Sequence, residues 1–211
     1  MSHHLNEPLL TCEGLQIGAF TVPPFEVRRG DVVQLAFGEN TFAASAAMEK
    51  LVGTFADATD HGSGPIRPLH SVAVARPAVP FRRLSTMFRR QTVCYWLARA
   101  TGRTEQEVLA RLLGADLDPQ MLIWHAAGNP RLKLGILAAL DSTAQTLVFY
   151  TAGMCDPGGR KSVLSLVFQK IDHRGAVYVS SPVDQLENEP EFARVIKVSH
   201  VANDSSNRIA G

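Results

Sequence analysis

The chain has 211 residues, of which 45% are hydrophobic and 19% charged, and its formal net charge is +1. That length makes one good-sized domain, or at most two small ones, with enough apolar residues for a core. Near-neutral, well-mixed charge gives no signal for nucleic acid or for an anionic membrane surface.

No run of about 20 apolar residues is present to span a bilayer. The polar start, Met1 to Pro8 with His3 and His4, lacks the basic-then-apolar pattern of a signal peptide and reads as a frayed terminus. Cys12, Cys94 and Cys155 lie far apart with no C-x-x-C pair, which points to free thiols in a reducing compartment. His61, His70, His125 and His200 have no metal-ligand spacing. Together these features predict a cytoplasmic protein with no direct membrane insertion and no metal. If it serves a membrane, it does so from outside the bilayer.

Taken in chain order, Leu9 to Phe37 reads as strands and turns, with Pro23 and Pro24 barring a helix. Val32 to Phe37 is a buried-strand candidate, Gly38 to Thr41 a loop, and Ala43 to Val52 a helix ended by Gly53. Asp57 to Pro80 reads as loop with one short strand, Ser71 to Ala75. A helix is expected from Ser85 to Ala100. Thr104 opens another through a capping box with Glu107, its apolar face made of Val108, Leu109, Leu112 and Leu113. Leu132 to Leu140 is a buried helix and Thr146 to Tyr150 a central parallel strand. Asp156 to Gly159 is a turn and Lys161 to Asp172 an amphipathic helix. Gly175 to Ser180 and Ala193 to His200 are strands, and the tail from Asn203 is loose. Alternating apolar strands and helices predict an α/β fold with a mainly parallel sheet.

The order of these pieces resembles the nucleotide-binding domain of ABC transporters, from about Leu9 to about His200. Val27-Arg28-Arg29-Gly30-Asp31-Val32-Val33 is similar to the family's lead-in to its phosphate loop. Leu147 to Arg160 is similar to its LLLDEPTAGLDPEGR stretch. Gly175 to Ser181 is similar to the strand before the switch histidine, and Arg194 to Val198 to the strand after it. The resemblance implies a P-loop NTPase-like ABC ATPase fold in one domain: residues 9–57 and 130–200 as core with an N-terminal antiparallel β subdomain, and a helical subdomain over about 81–128.

The family's catalytic residues are missing at the matching positions. The phosphate loop G-x-x-x-x-G-K-[ST] falls on Gly38-Glu39-Asn40-Thr41-Phe42-Ala43-Ala44-Ser45. Ala44 cannot supply the lysine charge that the phosphates need, and Thr41 and Phe42 resist the backbone conformations that let amides curl around phosphate. A lost charged hydrogen bond costs about 1.5–3 kcal/mol. The aspartate and glutamate that hold Mg²⁺ and orient water fall on Phe149 and Tyr150, and the switch histidine on Ser181. A tyrosine with pKa about 10 is a poor base at neutral pH. The LSGGQ signature falls on Ala126 to Pro130, keeping only Gly128, and the glutamine-loop position near Arg76-Pro77 has no glutamine.

The expected cofactor state is therefore none, with ATP binding weak or absent. Gly38, Asn40 and Ser45 form a vestigial phosphate loop, and Phe20 stands where the family's adenine-stacking aromatic lies. The same loop also reads as an ordinary strand-to-helix turn, and Phe20 as core. The resemblance places Gly128, Asn129 and Asp156 toward a dimer partner. It turns the basic cluster Arg82, Arg83, Arg89 and Arg90 toward a membrane-embedded subunit, unless that cluster is simply a solvated helix face. The implied protein is a pseudo-ATPase: a dimer-forming partner of an intact ABC ATPase, of a membrane subunit, or of both. The alternatives are a soluble regulator or scaffold on the same fold, and new chemistry around Tyr150, Ser181 or Cys155, with His173 as a base for that thiol.

Overall fold

The computed structural model describes residues 8–61, 64–81, 90–151, 157–171, 173–181 and 194–200. Its strands are β1 (Pro8–Cys12), β2 (Leu15–Ile17), β3 (Phe20–Val22), β4 (Phe25–Arg28), β5 (Val32–Phe37), β6 (Ile66–Pro68), β7 (Val72–Val74), β8 (Thr146–Tyr150), β9 (Gly175–Ser180) and β10 (Arg194–His200). Its helices are α1 (Phe42–His61), α2 (Val93–Thr101), α3 (Glu105–Gly114), α4 (Asn129–Asp141) and α5 (Pro157–Phe168). The helix expected from Ser85 starts only at Val93, because Thr92 caps it by accepting from the Tyr95 amide and leaves Arg90 to Thr92 outside it; residues 82–89 and the tail from Asn203 lie outside the described residues.

The larger sheet runs β2-β3-β10-β5-β9-β8-β7. Pairing is parallel from β10 through β7, while β2 and β3 add an antiparallel margin. A second, antiparallel sheet runs β4-β1-β6. The central strands β5 and β9 are buried at every residue, the pattern of parallel strands covered on both faces. Their alternate residues therefore feed two cores. Val33, Leu35, Phe37, Val148, Val177 and Val179 face α1 and the smaller sheet. Val32, Leu147, Phe149, Ala176 and Tyr178 face α2 to α5.

Helix α1 does not stop at Gly53. It runs on to His61, because Phe55 and Ala58 continue the buried stripe begun by Met48, Leu51 and Val52. Burying those side chains outweighs the roughly 1 kcal/mol that an interior glycine costs. The capping box at α3 forms as expected: the Thr104 hydroxyl accepts from the Glu107 amide, and the Glu107 carboxylate accepts from the Thr104 amide at 2.7 Å. Only Val108 and Leu112 of its predicted apolar face are buried, whereas Leu109 and Leu113 face solvent. The stretch read as loop after Asp57 contains the end of α1 and strand β6 as well as β7.

A bolted segment joins the sheet to the helices. After β7, the Ala78 amide donates to Arg131 O at 2.9 Å, and Trp96 Nε1 donates to Val79 O at 2.7 Å. The buried Gln91 amide bridges both backbone groups of Phe81, each at 2.9 Å. The Phe81 ring stacks on Trp96 at 6.0 Å.

Candidate functional site

Parallel pairing brings the carboxyl ends of β5, β9, β8 and β7 to one edge of the sheet. Gly38, Ser181, Thr151 and Ala75-Arg76 follow those strand ends directly. Open α/β sheets hold their ligands beyond this edge. The topology thus gathers the expected phosphate loop, Tyr150, Ser181 and Arg76 in one region, although they are scattered in sequence.

The loop from β5 to α1 closes on itself. The Ala44 amide donates to the Thr41 hydroxyl at 3.1 Å, and the Ser45 amide to Thr41 O at 3.0 Å. Thr41 acts as an N-cap and takes up one of the amides that a helix start otherwise leaves free for a ligand. Ala44 is completely buried, packed with the α1 side of the core. Gly38, Asn40 and Ser45 are exposed, and a Cβ built at Gly38 meets nothing within 4 Å. This turn therefore places no steric demand for glycine at its first position. Phe42, the first residue of α1, is 91% exposed.

Strand β8 itself carries no carboxylate. Phe149 is buried and stacks on Tyr178, with ring centroids 5.0 Å apart. Tyr150 is half-buried. Burial, and then the negative charge of Glu49, raise its pKa above the ordinary phenol value against an opposing pull from Arg76, so it stays protonated at neutral pH. Behind the edge lie two buried neutral pairs: Gln34 Nε2 donates to Ser180 Oγ at 2.9 Å, and Thr151 Oγ1 lies 2.9 Å from Tyr178 Oη. Ser181 is half-buried at the end of β9. Rings, hydroxyls and an amide can fill space and hold a sheet edge rigid, but they bring no charge to a phosphate or a cation.

The remaining expected site residues are dispersed. Phe20 offers no open aromatic face: it is 2% exposed, with Phe37 at 5.3 Å and His200 edge-on at 5.2 Å. Its core reading is the one that fits. Gly128 is exposed and caps α4 with φ 50° and no side-chain hydrogen bond. Asn129 turns its amide onto Gly159 of α5, where a Cβ would overlap it. Arg90 is exposed. Arg82, Arg83, Arg89, Cys155 and Asp156 lie outside the described residues. His173 is exposed. Burial raises the thiol pKa of Cys12 and Cys94, which marks both as unreactive. Among the described residues no group of three or more His, Cys, Asp or Glu could hold a metal ion, and no helix is long and apolar enough to cross a membrane.

Sequence reasoning missed the Thr41 cap and the Gln34–Ser180 pair. A threonine immediately before the helix, and a lone glutamine in an otherwise apolar strand, were the available signals.

This order of strands, loop and helices is the fold of the ABC-type ATP-binding domain. The chain superposes on an ATP-binding protein of an ABC transporter from Pyrococcus furiosus with a TM-score of 0.62 and 14% identity, over 89% of this chain and 96% of that one. A metal-chelate type ABC transporter in an inward-facing conformation gives 0.59 and 17% identity, over 93% and 84%. A structure of the archaeal ribosome recycling factor with a ribosomal stalk protein gives 0.55 and 19%, over 92% and 40%. No protein-family model matches the chain, and no curated protein matches it.

Proposed function

We propose that this chain is a non-hydrolysing ABC-type subunit, a pseudo-ATPase that works by binding a partner. The observation that carries the reading is at the loop from β5 to α1. The lysine position is Ala44, fully buried, and its amide is occupied by the chain's own Thr41. Phe149 and Tyr150 at the end of β8 support it, because neither offers a carboxylate for Mg²⁺ or for an attacking water. A fold retained without its chemistry is expected to act through its surface.

The partner is an intact ABC ATPase subunit, a membrane-embedded transporter subunit, or both, and the chain forms one half of a dimer, homomeric or heteromeric. Gly128, and the basic residues Arg82, Arg83, Arg89 and Arg90, are the proposed contacts, with Asp156 on the dimer side. Asn129 contributes less directly, by fixing the start of α4 against α5. A site at the cytoplasmic face of the inner membrane follows from such partners.

A second reading is favoured by one comparison. The same fold occurs in a ribosome recycling factor, so a soluble regulator or scaffold is the alternative. A pull-down of the tagged chain from its own cells in mild detergent separates the two. An intact ABC ATPase together with a membrane subunit in the eluate supports the transporter reading. Soluble proteins alone, or the chain alone, contradict it.

A further inference from the structure

The sequence mixes its charges evenly, but the fold does not. Two cavities lie between α3, α4 and the residues at and just beyond the end of α5. The smaller, about 120 Å³, is lined by Lys133, Ser162, Ser165 and Gln169, with Gly114 and Ala115 at the end of α3. The larger, about 350 Å³, is lined by Arg103, Arg111, Leu137, Asp141, Lys170 and Arg174. Lys133, Leu137 and Asp141 follow one another at single-turn spacing along one face of α4, over about 12 Å. Gln169 and Lys170 are adjacent in sequence and line one cavity each, so the two cavities are neighbours along the groove between α4 and the end of α5.

Its charge is unbalanced. Among the described residues, Arg103, Arg111, Lys133, Lys170 and Arg174 face one lining carboxylate, Asp141, with Glu107 at 4.0 Å from Arg103 outside it. The whole chain carries only +1, so this groove holds positive charge that the rest of the molecule offsets. Asp141 takes up Arg103 and Arg111. Arg174 donates to Leu140 O at 2.9 Å and Lys133 to Ala115 O at 3.0 Å, each at a helix C-terminus whose dipole favours a cation. Those contacts account for the placement of the side chains but leave donors over. Lys133 is 92% buried by its 8% exposure, has three N–H donors, and spends one on Ala115. Neither Lys133, Lys170 nor Arg174 has a carboxylate partner among the described residues.

We propose that this groove binds a small polyanion of the phosphate class. One phosphate group sits in the smaller cavity, against the Lys133 ammonium and the Ser162 and Ser165 hydroxyls. A second anionic group lies among Arg111, Lys170 and Arg174, where guanidinium forks match phosphate oxygens in pairs. The site is separate from the degenerate nucleotide edge and does not depend on the function proposed above.

Inorganic tripolyphosphate is the probe, titrated calorimetrically into the full chain and followed in parallel by phosphorus NMR, in chloride buffer of matched ionic strength. Saturable one-to-one binding is expected. Lys170→Glu, an exposed position, is expected to weaken it at least tenfold without lowering the melting temperature, and Ser165→Ala to weaken it severalfold. Ser45→Glu, at the start of α1, is expected to leave it unchanged. Three results would overturn the proposal: no saturable binding at millimolar probe, binding insensitive to Lys170→Glu, or binding lost in Ser45→Glu.

Discussion

The amide of Ala44 is capped by the hydroxyl of Thr41 at 3.1 Å, and the methyl group of Ala44 is sealed in the core. Restoring a lysine at that position is therefore a structural insult before it is a functional gain. Ala44→Lys is expected to lower unfolding free energy by about 3 kcal/mol or more, since an unpaired ammonium enters an apolar site. No hydrolysis is expected in return, because Phe149, Tyr150 and Ser181 remain. Denaturant melts and a phosphate-release assay check both halves; a stable variant that hydrolyses ATP would contradict the reading of both sites.

Gly135 of α4 packs onto the carbonyl of Arg76, where a Cβ would overlap the oxygen and the carbon behind it. Neither the backbone oxygen nor a helix buried along most of its length can easily give way. Gly135→Ala is expected to destabilise by about 1–3 kcal/mol, the usual cost of overpacking, despite the better helix propensity of alanine. Thermal unfolding reads this directly, and an unchanged or raised melting temperature would show that the segment after β7 is free to move.

Gln91 makes the same point with hydrogen bonds. Its amide serves both backbone groups of Phe81, so Gln91→Ala leaves a donor and an acceptor without that partner. A loss of about 1–3 kcal/mol is expected. Hydrogen exchange at residues 76 to 81 is expected to speed up before exchange in β5 or β9 does, since the clamp is local.

Asp141 gives a pH signature. Burial pushes its carboxyl pKa up, but hydrogen bonds and charge from Arg103 and Arg111 outweigh that and hold it below the ordinary carboxylate value. A depressed folded-state pKa gives stability that is present above the unfolded pKa, about 3.9, and is lost as pH falls through the folded value. Asp141→Asn is therefore expected to be less stable than wild type at neutral pH, with the gap closing below about pH 4. A gap constant across that range would mean that the two arginines do not hold this carboxylate.

Much of the architecture was legible because its signals are local. The apolar runs Val32 to Phe37, Thr146 to Tyr150 and Gly175 to Ser180 became the buried strands β5, β8 and β9. The spacing of Thr104 and Glu107 gave the capping box. What escaped the sequence depends on distant partners. Strand β6 sits in a Gly- and Pro-rich stretch and forms only because β1, more than 50 residues earlier, pairs with it at Leu10↔Pro68 and Cys12↔Ile66. Gly53 looked like a helix end, yet Phe55 and Ala58 carry α1 past it onto the sheet. Leu109 and Leu113 share the helical period of Val108 and Leu112 but find no surface to cover them. At the candidate site the uncharged residues Ala44, Phe149 and Tyr150 could be read from the sequence directly. The Thr41 cap, the packing of Asn129 on Gly159 and the basic groove could not, because each is a relation between elements.

A non-hydrolysing subunit releases no phosphate from ATP. The most direct test is steady-state phosphate release by the purified chain with Mg²⁺ and saturating ATP, run with and without EDTA. A rate indistinguishable from background is expected in both. Turnover that EDTA abolishes would contradict it and would mean that residues other than Ala44, Phe149 and Tyr150 carry the chemistry.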